Sequence, residues 1–368
     1  MSDTGAGKRL CVVFAAGGTG GHVFPAVAVA EALRKKVPDV RCVFIGTKGK
    51  IENTIVPKYG FELFTVWLSG MQRGSILKNV MLPMKIIISM MQAQNIFRRV
   101  QPQAVVCAGG YVSYPAGLAA GREKLPVVLM ESNSYPGLVI RKLSAKAASI
   151  HVAFESSRQY FKTKAAVYVS GNPVRSGFAE RVTKSEARKI FGLDAEKKTV
   201  LVFGGSLGAR TINEAMMNAV KDLEAMNVQV IWQTGKAWNS EVKNSNIKQL
   251  PFIEQMHAAY AAADLVVCRA GATTLAELTY LGVPSVLVPY PHAADNHQEK
   301  NARALMDAGA AVMISDSELH DKFLPVVKNL LADDLHLAAM KDAAWSLGVR
   351  DAADRIAENV LEVAGCNG

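Results

Sequence analysis

The chain lacks most of the devices by which proteins hold phosphates through a metal or a P-loop. It has no Gly-x-x-x-x-Gly-Lys-Ser/Thr run, which excludes a P-loop. It has no Asp-x-Asp pair to carry a metal-held diphosphate and no His-Glu-x-x-His, and the separation of His292 and His297 gives no support for a metal site. None of its five cysteines falls in a Cys-x-x-Cys pair. Cys11, Cys42, Cys107 and Cys268 lie in apolar runs and read as buried thiols of a reducing, cytosolic compartment. No uncharged apolar run reaches the roughly 18–20 residues that crossing a bilayer requires, and the first residues, MSDTGAGKRL, carry no signal-peptide pattern. Acidic residues are missing from one long stretch: none occurs from Leu63 to Arg122. Between Leu63 and Arg175 there are fourteen Lys and Arg against three acids, so the formal +10 of the chain is concentrated there. Such asymmetry points to an anionic partner. No aromatic platform or nucleic-acid motif is interleaved with it, so an anionic membrane surface or an acidic substrate fits better than nucleic acid. A solvated basic surface remains the alternative.

What the chain does have is size and glycine. Its 368 residues, half of them apolar, support two ordinary domains. Short apolar runs alternate with helical periodicities, the pattern of parallel βαβ sheets. Strands are predicted at 10–16, 41–46, 104–108, 126–130, 148–153 and 166–170, then at 199–203, 228–233, 264–268, 284–288 and 310–314. Three runs end in glycine pairs that each read as opening a helix: Gly17-Gly18, Gly109-Gly110 and Gly204-Gly205. The layout VVFAAGGTGG recurs as VLVFGGSLGA. Two similar doubly wound domains follow, 1–172 and 173–346, with a hinge near Ser170-Gly171-Asn172-Pro173 and a cleft between the glycine turns. Residues 347–368, with a helix from Asp351 to Gly365, are expected to return to the first domain.

Glycine turns at helix starts offer unpaired N–H groups to anions. Neither turn has the Gly-x-Gly-x-x-Gly dinucleotide spacing. A diphosphate is therefore expected to meet backbone N–H groups, the hydroxyls of Thr19 and Ser206, and the Arg175 fork. His22, in the first helical turn, is the candidate base for a sugar hydroxyl. Thr273-Thr274 is expected to cap a helix that places Glu277 against a ribose, and Asp295-Asn296-His297-Gln298 reads as a sugar-recognising cluster. Each has a plainer structural role: caps for Thr19 and Ser206, a surface charge for Arg175, turn orientation for His22, helix-terminal charge for Glu277. Ile76–Met91 is apolar on most sides, with a polar strip through Lys78, Lys85, Ser89 and Gln92. It reads either as a core helix or as one that dips into a bilayer interface through Ile76, Val80, Ile87 and Met91, with Lys78 and Lys85 near headgroups.

Taken in order, GGTGGHVFPA at 17–26, GGYVSYPAG at 109–117, SGNPVR at 170–175, GGSLGA at 204–209, RAGATTLAE at 269–277 and DNHQ at 295–298 resemble the MurG family over nearly the whole chain. These are the undecaprenyldiphospho-muramoylpentapeptide N-acetylglucosaminyltransferases of peptidoglycan synthesis. The resemblance implies a GT-B fold of two Rossmann-like domains, and inverting, metal-free and cofactor-free transfer of N-acetylglucosamine from its UDP derivative to lipid I at the cytoplasmic face of the bacterial inner membrane. It assigns Gly18, Thr19, Gly20 and Asn133 to donor contacts of the first domain. Arg175, Ser206, Ile253, Ala272, Thr273, Thr274, Leu275, Ala276, Glu277 and Gln298 fall to the UDP-sugar site, with Ile253 reading uracil through its backbone. Gly109, Gly110 and Tyr111 fall to the lipid diphosphate, and His22 to the base. Met130 stands where histidine is common, and His297 where some members have glutamine. A glycolipid synthase, a UDP-N-acetylglucosamine 2-epimerase and a non-catalytic UDP-sugar-binding subunit are the competing readings.

Overall fold

The computed structural model of the chain describes residues 9–69, 80–179 and 182–366. They form two units. One contains the described residues up to Arg175 together with those from Arg350 onward, and the other runs from Ser176 to Val349.

The first unit is a parallel sheet of β1 (Cys11–Ala15), β2 (Arg41–Thr47), β3 (Glu62–Val66), β4 (Ala104–Cys107), β5 (Val127–Glu131), β6 (Ser149–Val152) and β7 (Ala166–Val169). Their order across the sheet is β3-β2-β1-β4-β5-β6-β7. Helices α1 (Gly20–Lys36), α2 (Glu52–Lys58), α3 (Leu82–Val100), α4 (Ser113–Arg122) and α5 (Leu138–Leu143) lie between the strands. The second unit repeats the scheme with β8 (Thr199–Phe203), β9 (Gln229–Gln233), β10 (Ile247–Leu250), β11 (Leu265–Cys268), β12 (Ser285–Leu287) and β13 (Ala311–Met313), in the order β10-β9-β8-β11-β12-β13. Its helices are α6 (Lys184–Ile190), α7 (Arg210–Ala225), α8 (Met256–Ala262), α9 (Ala272–Leu281), α10 (His297–Asp307), α11 (Leu319–Ala332) and α12 (Asp334–Leu347); α13 (Ala352–Val363) belongs to the first unit.

Central strands such as CVVFA and TVLVF are buried throughout, as strands covered on both faces must be. The two strands missed from the sequence, β3 and β10, are edge strands. Half-exposed ELFTV and IKQL carry no continuous apolar run to betray them. In both sheets the order reverses beside the first strand, between β1 and β4 and between β8 and β11. The crevice beyond the carboxyl ends of strands at such a reversal is where open α/β sheets bind ligands.

Helix α13 buries Ile356, Ala357 and Val360 in the core shared by β1 and α1, and Lys36 reaches Glu358 at 2.7 Å. Asp351 stands at its N-cap but does not cap it with its side chain; the carboxylate takes Arg355 Nε at 2.8 Å instead.

Of the apolar stretch, Ile76, Leu77 and Lys78 lie outside the described residues. The remainder enters α3, which starts at Leu82 and runs nine residues beyond Met91. Its described polar residues are engaged by the segment at Trp67–Ser69. Ser89 is fully buried and donates to the Trp67 carbonyl at 2.9 Å, and Gln92 accepts the Trp67 N–H at 2.7 Å. Lys85 reaches Ser69 at 2.8 Å. Met90, Ala93, Phe97 and Val100 fill the core, while Val80, Met81, Met84, Ile87 and Met91 are 44–66 % exposed.

Asn359 of α13 also bonds His151 of β6, which in turn packs on β7. His151 Nε2 donates to its Oδ1 at 2.9 Å, Nδ1 accepts from Ser170 Oγ at 2.7 Å, and the ring stacks on Tyr168 at 5.2 Å. Burial holds the His151 imidazole below its ordinary 6.5, against the opposing pull of the Asn359 bond. The folded state thus binds this proton less readily than the unfolded chain. The associated stability is complete above pH 6.5 and is lost as pH falls below it. Urea midpoints are expected to drop on acidification through this range in the native protein, and to drop less in a His151→Asn variant.

Candidate functional site

The first glycine turn occupies the reversal between β1 and β4. Gly18 has φ +86°, and Thr19 is the N-cap of α1. The Thr19 hydroxyl does not cap the helix. It lies 3.2 Å from His22 Nδ1, which is also 3.2 Å from the Gly17 carbonyl. A carbonyl only accepts, so the Gly17 contact, read as a hydrogen bond, puts the proton on Nδ1 and leaves the lone pair of a neutral ring on Nε2.

The second glycine pair makes room for this ring. A Cβ on Gly109 would come within 2.5 Å of His22 Cδ2 and 3.0 Å of Nε2, and one on Gly110 within 2.3 Å of the Gly17 oxygen. Both glycines have positive φ, a conformation that side chains resist. Buried Ser113 locks the turn, accepting the Gly109 N–H at 3.1 Å and lying 2.8 Å from the Ala15 carbonyl. The pair does not open α4 directly, since the helix starts at Ser113; Tyr111, between them, is 48 % exposed. Gly20 likewise leaves space for the Phe24 ring, and the Arg175 guanidinium lies 3.9 Å over that ring. Arg175 is therefore part of the first unit, although the family resemblance placed it with the second.

At the end of β5, Glu131 is buried and organises the following loop. It accepts Asn133 N–H at 2.9 Å, Asn133 Nδ2 at 3.1 Å and Gly137 N–H at 2.7 Å. Burial raises its pKa, and these bonds oppose the rise. Ser132 reaches Asn172 of the SGNPVR segment at 2.8 Å.

In the second unit the glycine turn is longer than expected. Helix α7 begins only at Arg210, so Ser206 is not at a helix N-terminus. Ser206 and Leu207 form the exposed tip of a loop, Gly204–Gly208, laid on the end of β9. Close approach requires the glycines: a Cβ on Gly208 would meet the Thr234 oxygen at 2.1 Å, and one on Gly235 the Leu207 oxygen at 2.4 Å. Buried Gln233 joins this loop to Ile253, donating to the Gly205 carbonyl at 2.9 Å and accepting the Ile253 N–H at 2.8 Å. The Ile253 N–H is thus committed inside the unit.

Helix α9 starts with Gly271 as N-cap, so Thr273 and Thr274 fall inside its first turn rather than at the cap position; they are half-buried, as is Ala276, while Ala272 and Leu275 are buried. Glu277 is buried and accepts the Tyr260 hydroxyl at 3.0 Å. Gln298 accepts the Tyr290 N–H at 2.9 Å. Just before it, Asp295 and Asn296 both adopt left-handed backbone, φ +54° and +55°. Strain of this kind collects at functional sites.

Sequence reasoning missed three organising residues. Arg269 gathers the carbonyls of Val288 and Pro289, both at 3.2 Å, Thr211 at 2.9 Å and Asp316 at 2.5 Å. Gln233 links two loops distant in sequence. Glu52, fully buried, holds the first glycine turn. The only trace of Glu52 in the sequence is that two neighbouring strands, β1 and β2, each run into a glycine where its side chain lies.

Models described as the glycosyltransferase family 28 N-terminal and C-terminal domains match residues 12–152 and 199–356. A protein of Chlorobaculum tepidum is 43% identical over 363 residues, covering 96% of this chain and 99% of its own length, and bears the name UDP-N-acetylglucosamine–N-acetylmuramyl-(pentapeptide) pyrophosphoryl-undecaprenol N-acetylglucosamine transferase. This chain belongs to the MurG family. A Bacteroides fragilis protein of the same name is 39% identical over 370 residues, with 98% and 97% covered. The crystal structure of Acinetobacter baumannii MurG superposes with a TM-score of 0.74 at 29% identity, covering 96% of this chain and 99% of that one. A UDP-N-acetylglucosamine 2-epimerase structure, 16% identical with 98% of each chain covered and a TM-score of 0.68, shares the fold alone. The chain is a glycosyltransferase of two Rossmann-like domains in the GT-B class.

The packing of Gly109 on His22 makes a direct prediction. Gly109→Ala displaces the imidazole, and a displacement near 1 Å costs on the order of 10²-fold in rate. Glycosyl transfer is expected to fall by that order, with His22 shifted in a crystal structure of the variant.

Proposed function

We propose that this enzyme moves N-acetylglucosamine from UDP-N-acetylglucosamine onto a muramoyl-pentapeptide carried on undecaprenyl diphosphate, converting lipid I to lipid II. The observation that carries the reading is the His22 constellation: an imidazole fixed through Nδ1 at the strand reversal of the first unit, in a chain whose relatives bear the name of that transferase. A sugar hydroxyl of the acceptor attacks the anomeric carbon of the donor. The new C–O bond forms as the bond to UDP breaks, the electron pair leaves with the diphosphate, and the hydroxyl proton passes to His22 Nε2. Single displacement inverts the anomeric centre.

In this reading the second unit holds the nucleotide. With its N–H given to Gln233, Ile253 offers its carbonyl to the uracil edge. Glu277 meets the ribose, Ser206 and the loop N–H groups meet the diphosphate, and Gln298 presents its NH₂ to the sugar. Fixed donors of this kind stabilise a departing diphosphate. In the first unit Gly18, Thr19, Gly20 and Asn133 serve the transferred sugar, Arg175 supplies a planar fork for a phosphate group, and Gly109, Gly110 and Tyr111 meet the acceptor diphosphate. The test is transfer of labelled N-acetylglucosamine to a lipid I analogue. His22→Ala is expected to lower kcat by about 10²–10⁴-fold, the scale of general base catalysis, with UDP affinity little changed. Near-normal turnover overturns the assignment of the base.

The enzyme meets its lipid substrate, on this proposal, by laying α3 on an anionic membrane surface at the cytoplasmic face. Support comes from Met84, Ile87 and Met91, exposed on α3, with exposed Val80 just before it, and from Lys85, Arg98 and Arg99 on the same acid-free stretch. Apolar burial and roughly 1 kcal/mol per cation near anionic lipid act together. Vesicle binding is expected to weaken with salt and to fall sharply in an Ile87→Glu, Met91→Glu double variant. Transfer to a short-chain, water-soluble acceptor is retained. Vesicle affinity equal to the native protein's sinks this part of the proposal.

A further inference from the structure

Beyond the base itself, we propose that Glu52 is a positioning residue for His22 and acts through the single peptide group that joins Gly17 to Gly18. The inference rests on the reading of His22 as the base.

Glu52 opens α2, which follows β2, and its side chain is fully buried. Oε2 accepts the Gly18 N–H at 3.0 Å. Oε1 accepts the Thr47 N–H at 2.9 Å and the Thr47 hydroxyl at 2.8 Å. Among the described residues, no cation lies in salt-bridge range of Glu52. The space it occupies exists because two residues lack a side chain. A Cβ on Gly17 would sit 2.5 Å from Oε1, and one on Gly46 would sit 2.6 Å from Cγ. The carboxylate is thus pressed against the turn that carries the candidate base, thirty residues away in sequence.

The Gly18 N–H and the Gly17 C=O are the two ends of one planar amide. One end donates to Glu52, and the other accepts from His22 Nδ1 at 3.2 Å. The chain of bonds therefore runs from carboxylate to N–H, through the amide, to C=O and on to Nδ1–H. Hydrogen bonds linked in this way polarise one another. A negative group at the N–H pushes electron density onto the carbonyl oxygen, which becomes a better acceptor for Nδ1–H. Two effects follow at the imidazole. The tautomer with the proton on Nδ1 is selected, which puts the lone pair on Nε2. The imidazolium formed when Nε2 takes the substrate proton is stabilised, since Nδ1–H then points at a more negative oxygen. No proton moves to Glu52. The logic is that of the acid that orients the histidine in a hydrolase triad, with a peptide group interposed.

Glu52→Gln tests it, because the variant keeps the volume, removes the charge and leaves only one acceptor oxygen for Thr47 and Gly18. The ring nitrogens of His22 are followed by ¹⁵N NMR of histidine-labelled protein, assigned by their loss in His22→Ala. Neutral His22 in the native protein is expected to be protonated on Nδ1. In Glu52→Gln its titration midpoint is expected to fall by about 1 pH unit, the low end of what a nearby carboxylate exerts. The acidic limb of the kcat profile moves down with it. The plateau of kcat drops on the order of 10–100-fold, as for the outer hydrogen-bond partners of other functional histidines, while KM for the sugar nucleotide stays within about threefold. Thr47→Val removes one bond to Glu52 and leaves the Gly18 link, so its kcat and His22 midpoint are expected to match the native protein. A native His22 protonated on Nε2 overturns the proposal even if Glu52→Gln does not fold. So does an unchanged midpoint in Glu52→Gln, or a Thr47→Val variant that is equally damaged. Normal turnover by His22→Ala removes the base reading alone, since the NMR titration still decides whether Glu52 sets the tautomer.

Discussion

Backbone approaching backbone more closely than a Cβ allows is the constraint on which the first unit's carboxyl edge depends. The β1 turn, the β4 turn and the start of α1 meet at Gly17, Gly109 and Gly110, with carboxylate, imidazole and carbonyl atoms where methyl groups would otherwise stand. The buried polar groups of this cluster take their hydrogen bonds from within it. Ser113 and Glu52 supply the bonds on the two sides of the turn. The second unit applies the same constraint elsewhere: Gly208 and Gly235 bring two loops together, and Gln233 satisfies both.

The fold was legible where strands are buried on both faces. Central runs such as VVFA and LVVC are continuous and apolar, and glycine ends them. Strands β3 and β10 were not legible, since ELFTV and IKQL offer no continuous apolar run, whereas the other two edge strands, β7 and β13, lie in the apolar runs AAVYV and AAVMI. Helix starts were misjudged for a related reason. A glycine pair marks where the chain leaves a strand, but the distance to the first helical turn is set by loop packing. In the first unit α1 begins two residues after Gly18, whereas α7 begins five after Gly205. The turns of the candidate site were legible in their glycines, and the place of His22 in the first turn of α1 in its spacing from the first pair. The site was not legible in Glu52, Gln233 or Arg269, whose partners are far away in sequence. An isolated acid, amide or base has no local pattern.

The two units use one plan for different ends. In the first, the loop after β1 is short and the helix holds an imidazole in its opening turn. In the second, the loop after β8 is extended, its tip at Ser206 and Leu207 is exposed, and the helix is withdrawn. A short loop fixes a ring to within tenths of an ångström. A longer loop lined with N–H groups has room for a bulky anion. Repetition of the strand-glycine layout therefore does not imply repetition of the chemistry.

Ser89 and Gln92 of helix α3 bond the backbone of Trp67. Those bonds fix the helix before anything touches its outer, apolar side. On the membrane reading proposed above, docking requires no coil-to-helix transition, because the nineteen residues of α3 are already ordered by folding. Association at this face is accordingly a collision between finished surfaces. Its rate is set by diffusion and orientation, with no folding step to slow it.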